Sequence, residues 1–201
     1  MNKTLKRALS GAVYVAIMWL GTFWSELSFH ILFAVILLVC FYEMYKLRKG
    51  KTKILAFLYL LSPLLLVHFI KTELVLLMFI LTWTFDTFAY LVGIKFGKNK
   101  IIPTVSPKKS WEGFAGGFIF TIIAAYLTAS YFLEIELNQI IAISLFLPFT
   151  ATLGDFIESH YKREAEVKDS GNFIPGHGGM LDRMDAFMIT IPTIYILINL
   201  L

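Results

Sequence analysis

At 201 residues, 58% hydrophobic, 16% aromatic and only 16% charged, with a mean hydropathy of +0.73, the chain is too apolar for a soluble domain, in which about a quarter of residues are charged. A single cysteine, Cys40, set in an apolar run, excludes a disulfide framework. The formal net charge of +4 suits a nucleic-acid binder by its sign alone, but the placement of the cations assigns them to a membrane boundary and excludes nucleic acid as a partner.

A hydrocarbon core of about 30 Å takes roughly 20 helical residues. That window predicts seven spans, at about 8–24, 28–45, 54–70, 74–94, 114–133, 138–157 and 185–201. The first follows MNKTLKR and has the basic start and apolar core of a signal peptide. It lacks a small-residue cleavage site, since LGTFWSEL is bulky there, and is expected to be an uncleaved anchor. Of the 18 Lys and Arg, 17 lie before span 1 or after spans 2, 4 and 6, beginning with Lys3, Lys6 and Arg7; Lys71 alone lies on the other side. The opposite loops carry Glu26, Glu73, Glu134 and Glu136. The positive-inside rule then puts the N-terminus and the long polar loops, 95–113 and 158–184, in the cytoplasm and the C-terminus outside. The expected fold is an all-α polytopic transmembrane helical bundle of about seven spans, one integral-membrane domain over 1–201, with its chemistry at the inner face.

Several side chains along these spans can carry chemistry. His30 and His68 sit near outer span ends with no acidic or cysteine neighbour in sequence and read as interfacial histidines. Glu43 and Lys46, three residues apart, read as an interfacial ion pair. Asp86, in TFDTFAYLVG, lies well inside span 4, where an ionisable residue is a functional-site hypothesis by default. In SPKKSWEGFAGG, residues 106–117, Lys108 and Lys109 suit phosphate oxygens, and Gly113, Gly116 and Gly117 allow close helix packing. The same stretch also fits positive-inside charge plus a packing face.

In TLGDFIESHYKRE, Asp155, Glu158, Ser159 and Lys162 fall at i, i+3, i+4 and i+7, on one helical face. A lone carboxylate at the depth of Asp155 costs about 2.5–3.5 kcal/mol. It reads either as an ion-paired helix end or as a metal ligand facing the bundle interior. DRMD likewise puts Asp182 and Asp185 on one face at the mouth of span 7. Carboxylates held that close repel unless a cation sits between them, and Mg²⁺ takes one or two carboxylates, leaving other places to water and phosphates. Either Asp155, Asp182 and Asp185 form a three-carboxylate pocket, or the last two cap span 7. Between these helices lies PGHGG. Gly176, Gly178 and Gly179 around His177 let backbone approach an anion, and Lys162, Arg163, Lys168 and Arg183 flank the turn. His177 reads as a phosphate donor, a proton carrier or a structural loop residue. The absence of GxSxG, HExxH, CxxC and Walker A patterns removes serine hydrolases, zincins and P-loop transporters.

The stretch SHYKREAEVKDSGNFIPGHGGMLDRMD, Ser159 to Asp185, resembles the signature of phosphatidate cytidylyltransferases (CDP-diacylglycerol synthases). The shared pattern is a serine, Lys-Arg, Lys-Asp, Pro-x-His-Gly-Gly and Asp-Arg-x-Asp at fixed spacing. The likeness continues upstream through GDFIES, SPKKSWEG and DTFAYLVGIKFGK, covering most of residues 84–190, while the N-terminal third matches only as generic membrane helix. Tyr161 stands where the family usually has an aliphatic residue, Phe88 where it usually has glycine, and the chain is shorter than many members.

The resemblance implies transfer of the cytidylyl group of CTP to phosphatidate, giving CDP-diacylglycerol and pyrophosphate for phospholipid biosynthesis at the cytoplasmic face of the cell membrane. It implies Mg²⁺ on Asp155, Asp182 and Asp185, with a second cation such as K⁺ or another divalent. It makes Asp155, Asp182, Asp185, Lys162 and His177 catalytic. Ser159, Arg163, Lys168, Asp169, Gly176, Gly178, Gly179, Arg183, Lys108, Lys109 and Asp86 become substrate- or phosphate-binding. CTP, phosphatidate in the bilayer and a second copy of the chain are the implied partners. Two rivals stand beside it: a CTP-dependent polyprenol or lipid kinase, which releases CDP, and an ion transporter running through Asp86, Asp155 and Asp182. The nearly bare outer face speaks against the transporter.

Overall fold

The structure, a computed structural model, describes residues 3–132 and 135–200. Glu134, the side chains of Lys3, Lys6 and Arg7, and the expected span ends at 133 and 201 lie outside the described residues. Among the described residues, seven α-helices follow one another: α1 Lys3–Phe23, α2 Glu26–Leu47, α3 Ile54–Leu66, α4 Thr72–Phe96, α5 Trp111–Thr128, α6 Leu137–Glu164 and α7 Leu181–Leu200. Short 3₁₀ turns extend α3 over Val67–Phe69 and α5 over Ala129–Tyr131. Among the described residues, four helical stretches are long and apolar enough to cross a bilayer: Glu26–Leu47, Thr72–Phe96, Trp111–Tyr131 and Leu137–Glu164. The apolar parts of α1 and α3 are shorter, at Leu9–Phe23 and Ile54–Phe69. In α7, Asp182, Arg183 and Asp185 occupy the first turns.

Helix boundaries follow local chemistry. Ser25 and Ser28 form a reciprocal capping box, the Ser25 hydroxyl accepting from Ser28 N at 3.1 Å and the Ser28 hydroxyl from Ser25 N at 2.9 Å. Ser110 caps α5 by accepting from Gly113 N at 3.2 Å. Several hydroxyls inside the helices bond to the preceding turn, as Thr84 does to Ile80 O and Thr121 to Gly117 O, both at 2.8 Å. That local bonding is what a water-free surrounding demands of a polar side chain. The innermost layer is built from Phe33, Leu60, Leu64, Leu77, Leu147 and Met184, each shielded from the outside. Bulky side chains such as Trp24, Leu38, Leu55 and Tyr126 face outward, the apolar coat a bilayer would wet.

Two close helix contacts shape the polar end. On α5, a Cβ at Gly113 would stand 2.6 Å from Ala89 O and one at Gly117 2.7 Å from the Phe85 ring, so α4 and α5 touch backbone to backbone. Phe88 on α4 stacks on Phe120 of α5 at 3.6 Å between ring centroids. On α6, a Cβ at Gly154 would collide with Asp185 O, so the first turns of α7 lie directly on α6. The Thr150 and Thr190 hydroxyls meet at 2.9 Å one level deeper.

The helix ends sort by polarity. Arg48 and Lys51, in the turn after α2, pair with Glu164 at the end of α6. Lys109, before α5, pairs with Asp155, and Ser10 on α1 donates to Pro175 O at 2.7 Å. At the far end, His30 and His68 meet through their Nδ1 atoms at 2.7 Å, 38 residues apart in sequence. They partner each other, which their sequence neighbours gave no sign of.

Candidate active site

The face shared by Asp155, Glu158, Ser159 and Lys162 turns toward α7, and the contact at Gly154 brings Asp185 against it. One oxygen each from Asp155, Glu158 and Asp185 lie within 4.8 Å of one another. Glu158 has 0% of its surface exposed, and neither of its oxygens accepts a well-formed hydrogen bond; its ionic partner is Lys162. Asp155 pairs with Lys109 and accepts from the Ser159 hydroxyl at 3.2 Å. Asp185 accepts from Ala186 N at 2.8 Å. Metal–oxygen bonds of about 2.1 Å set octahedral ligand atoms roughly 3–4.2 Å apart, so these oxygens are within an ångström of that spacing. Hard oxygen donors with orphaned acceptors fit a divalent cation. The structure brings Asp155 and Asp185 together with Glu158, whereas the sequence grouped them with Asp182.

Asp182 is occupied differently. Its Oδ1 accepts from Lys162 Nζ at 2.8 Å, and its Oδ2 from Ser170 N at 2.8 Å, the Ser170 hydroxyl at 3.0 Å and Gly179 N at 2.7 Å. Burial pushes this loop-side carboxyl up, but the Lys162 ammonium and the two backbone amides outweigh it and hold Asp182 below the usual carboxylate range. The glycine turn wraps it. Ile174 to His177 form a type II turn, with His177 N donating to Ile174 O at 2.9 Å and Gly176 at φ 81°, a position glycine favours. Gly178, at φ 85°, lies so near Asp182 that a Cβ would stand 2.6 Å from its Oδ2. The amides of His177 and Gly179 are thus given to protein acceptors.

The remaining expected residues surround this centre. Nδ1 of His177 lies 3.0 Å from the Ser10 hydroxyl. Arg183 donates to His177 O at 3.0 Å, and Arg163 to Val105 O at 3.4 Å and Val167 O at 3.1 Å. Lys168 and Asp169 are exposed on the α6–α7 loop, and Ser159 is buried. A cavity of about 600 Å³, within the range of about 300–1,000 Å³ usual for small-molecule sites, opens between α4, α5 and the 97–110 loop, lined by Asp86, Tyr90, Lys100, Lys108, Lys109 and Phe114. A smaller one of about 250 Å³ is lined by Tyr14, Asp86, His177, Asp182, Arg183 and Asp185. Asp86 lines both. The 97–110 loop is held by Glu112, which accepts from Lys98 N, Asn99 N and the Asn99 side chain.

Glu43 does not pair with Lys46. It is 3% exposed and accepts from Met180 N at 3.0 Å, Leu181 N at 2.9 Å and the Ser170 hydroxyl at 3.0 Å. Lys46 instead lies 4.3 Å from the Tyr42 ring centroid. The partners of Glu43 are 127 to 138 residues away, beyond the reach of local spacing. The one signal was a carboxylate still inside the helix, a full turn before its polar end.

The family model described as the cytidylyltransferase family matches residues 54–201. The chain is similar to the phosphatidate cytidylyltransferase of Thermotoga maritima, 44% identical over 126 residues, which are 60% of this chain and 47% of that protein. It is similar also to those of Staphylococcus aureus strain COL, 43% over 126 residues (62% and 48%), and Bacillus subtilis strain 168, 44% over 124 residues (60% and 45%). The chain spans about half the length of the curated relatives it matches. With the match running from the start of α3 through the carboxylate cluster and α7, the chain belongs to the cytidylyltransferase family.

Proposed function

We propose that this chain acts as a phosphatidate cytidylyltransferase, one integral-membrane catalytic domain over 1–201, transferring the cytidylyl group of CTP to phosphatidate. The observation that carries this reading is the Asp155–Glu158–Asp185 cluster beside a lysine-lined cavity on an apolar bundle. A phosphatidate oxygen attacks the α-phosphorus of CTP, a new P–O–P bond forms, and the α–β bond breaks with its electron pair leaving on pyrophosphate. Such transfers depend mostly on positioning and charge neutralisation. Lys100, Lys108 and Lys109 line the larger cavity and suit the triphosphate. Arg183 and His177 line the smaller one and suit the lipid phosphate.

Asp155, Glu158 and Asp185 would hold Mg²⁺, which supplies neutralisation of the triphosphate and polarisation of the reacting phosphoryl group. Asp182 keeps Lys162 and the 170–179 loop in place beside them. Asp155, Glu158, Asp182 and Asp185 outnumber the two ammonium groups paired with them, Lys109 and Lys162, an excess of negative charge that a divalent cation would offset. A second cation, K⁺ or another divalent, is part of this reading.

We read the polar end as cytoplasmic, with seven spans in the cell membrane, the N-terminus inside and the C-terminus outside; the distribution of 17 of 18 cations supports this. A homodimer, implied by the family resemblance, is part of this reading. The test is incubation with phosphatidate vesicles, Mg²⁺ and CTP labelled at either the α- or the γ-phosphate. The α-label is expected in the lipid phase and the γ-label in pyrophosphate. The γ-label in lipid would make the chain a CTP-dependent lipid kinase, and no labelled lipid at all would overturn the reading.

A further inference from the structure

The family match begins at residue 54, after α2, yet α2 reaches the centre of the site. Glu43 extends from it into a slot whose walls are the α6–α7 loop and the start of α7. Both of its oxygens are engaged, Oε1 by Met180 N and Oε2 by Leu181 N and the Ser170 hydroxyl. The slot is cut to fit: a Cβ at Gly171 would stand 2.5 Å from Glu43 Oε1, and one at Gly179 2.6 Å from the same atom. Met180 and Leu181 open the helix that carries Asp182 and Asp185, and free amides at a helix start need acceptors. Ser170 links the two acids, donating from one hydroxyl position toward both Glu43 Oε2 and Asp182 Oδ2, each at 3.0 Å. This chain of contacts runs from α2 through Ser170 to Asp182 and the first turns of α7.

We propose that Glu43 is a positioning residue for the reaction, a capping carboxylate supplied across the bundle by α2 that fixes the 170–181 segment and, through it, Asp182 and Asp185. Its catalytic consequence rests on the cytidylyltransferase reading above; its effect on the loop does not. An amide at this position keeps one acceptor and turns an N–H group toward donors, and alanine removes both acceptors. The effects should therefore be graded, Glu43→Gln milder than Glu43→Ala.

The test uses the full chain in lipid nanodiscs and measures two quantities. The first is amide hydrogen exchange of peptides covering 170–184, without metal or nucleotide. Glu43→Gln is expected to raise exchange there about tenfold or more, and Glu43→Ala further, with α4 and α5 unchanged. Gly171→Ala, which leaves the carboxylate intact but fills its slot, is expected to do the same. Lys46→Ala, on the same helix, changes nothing. The second is CDP-lipid formation, where Glu43→Gln is expected to lower kcat at least tenfold with the KM for phosphatidate within twofold. Exchange rising equally throughout the bundle, or unchanged at 170–184, overturns the proposal. A local rise in exchange together with a wild-type chain that makes no CDP-lipid would leave the positioning role standing and fail the cytidylyltransferase reading instead.

Discussion

The carboxylates at the polar end fall into two groups that the protein treats in opposite ways. Glu43 and Asp182 give every oxygen to a donor: backbone amides, the Ser170 hydroxyl and the Lys162 ammonium. Asp155, Glu158 and Asp185 instead converge on one another: Asp155 meets Lys109 and the Ser159 hydroxyl, Asp185 accepts from one backbone amide, and Glu158 has Lys162 as its ionic partner but no well-formed hydrogen bond. Buried acceptors are costly unless satisfied. The first group therefore orders the chain, and the second suits a cation that completes it.

The sharpest break of this comparison is Asp185→Asn. It removes a charged oxygen from the open cluster while leaving the loop acids alone. Losing one electrostatic stabiliser of a reacting group typically lowers turnover about 10²–10³-fold, and that loss is expected in CDP-lipid formation, with a higher Mg²⁺ concentration for half-maximal rate. Asp182→Asn is expected to cost less, about tenfold in rate, because its oxygens hold Lys162 and the loop. Its Mg²⁺ half-saturation is expected to stay within about twofold of the parent. A Mg²⁺ shift as large as that of Asp185→Asn would merge the two groups and make Asp182 a ligand, as the DRMD spacing first suggested.

The sequence made the helices legible and part of the site. Apolar windows of span length put elements at 28–45 and 74–94, where α2 covers Glu26–Leu47 and α4 covers Thr72–Phe96. α6 runs on to Glu164, past the expected 157, because its polar face continues the helix beyond the apolar stretch. The alignment of Asp155, Ser159 and Lys162 followed from helical spacing alone. Glu158 stood on that same face, but its place in the cluster depends on Gly154 admitting α7, a contact between helices that spacing does not encode. Glu43 was hidden for a simpler reason: Lys46 stood three residues away and offered a local partner, while the donors it uses come from the other end of the chain.

A smaller effect tests the packing that supports both groups. Gly117→Ala puts a Cβ 2.7 Å from the Phe85 ring and 2.8 Å from Phe85 O, at the backbone contact of α4 with α5. Overpacking of this kind costs about 1–3 kcal/mol. A lowered Tm is expected, with turnover falling less than in Asp182→Asn. A Tm equal to the parent's would mean that α4 and α5 are free to separate and do not anchor the larger cavity.

The smallest effect is expected farthest from the carboxylates. Lys71 is exposed, at the turn before α4, on the end of the bundle where His30 and His68 meet. Every other Lys or Arg lies in the segments assigned to the opposite side. Exposed charges of this kind contribute about 0–1 kcal/mol at most, so Lys71→Ala is expected to leave CDP-lipid formation within about twofold of the parent. Arg48→Ala, which breaks an ion pair with Glu164 at the polar end, is expected to exceed it. If Lys71→Ala instead abolished activity while Arg48→Ala was silent, the far end would be the one that meets CTP, and the assignment of the polar end to the cytoplasm would be inverted.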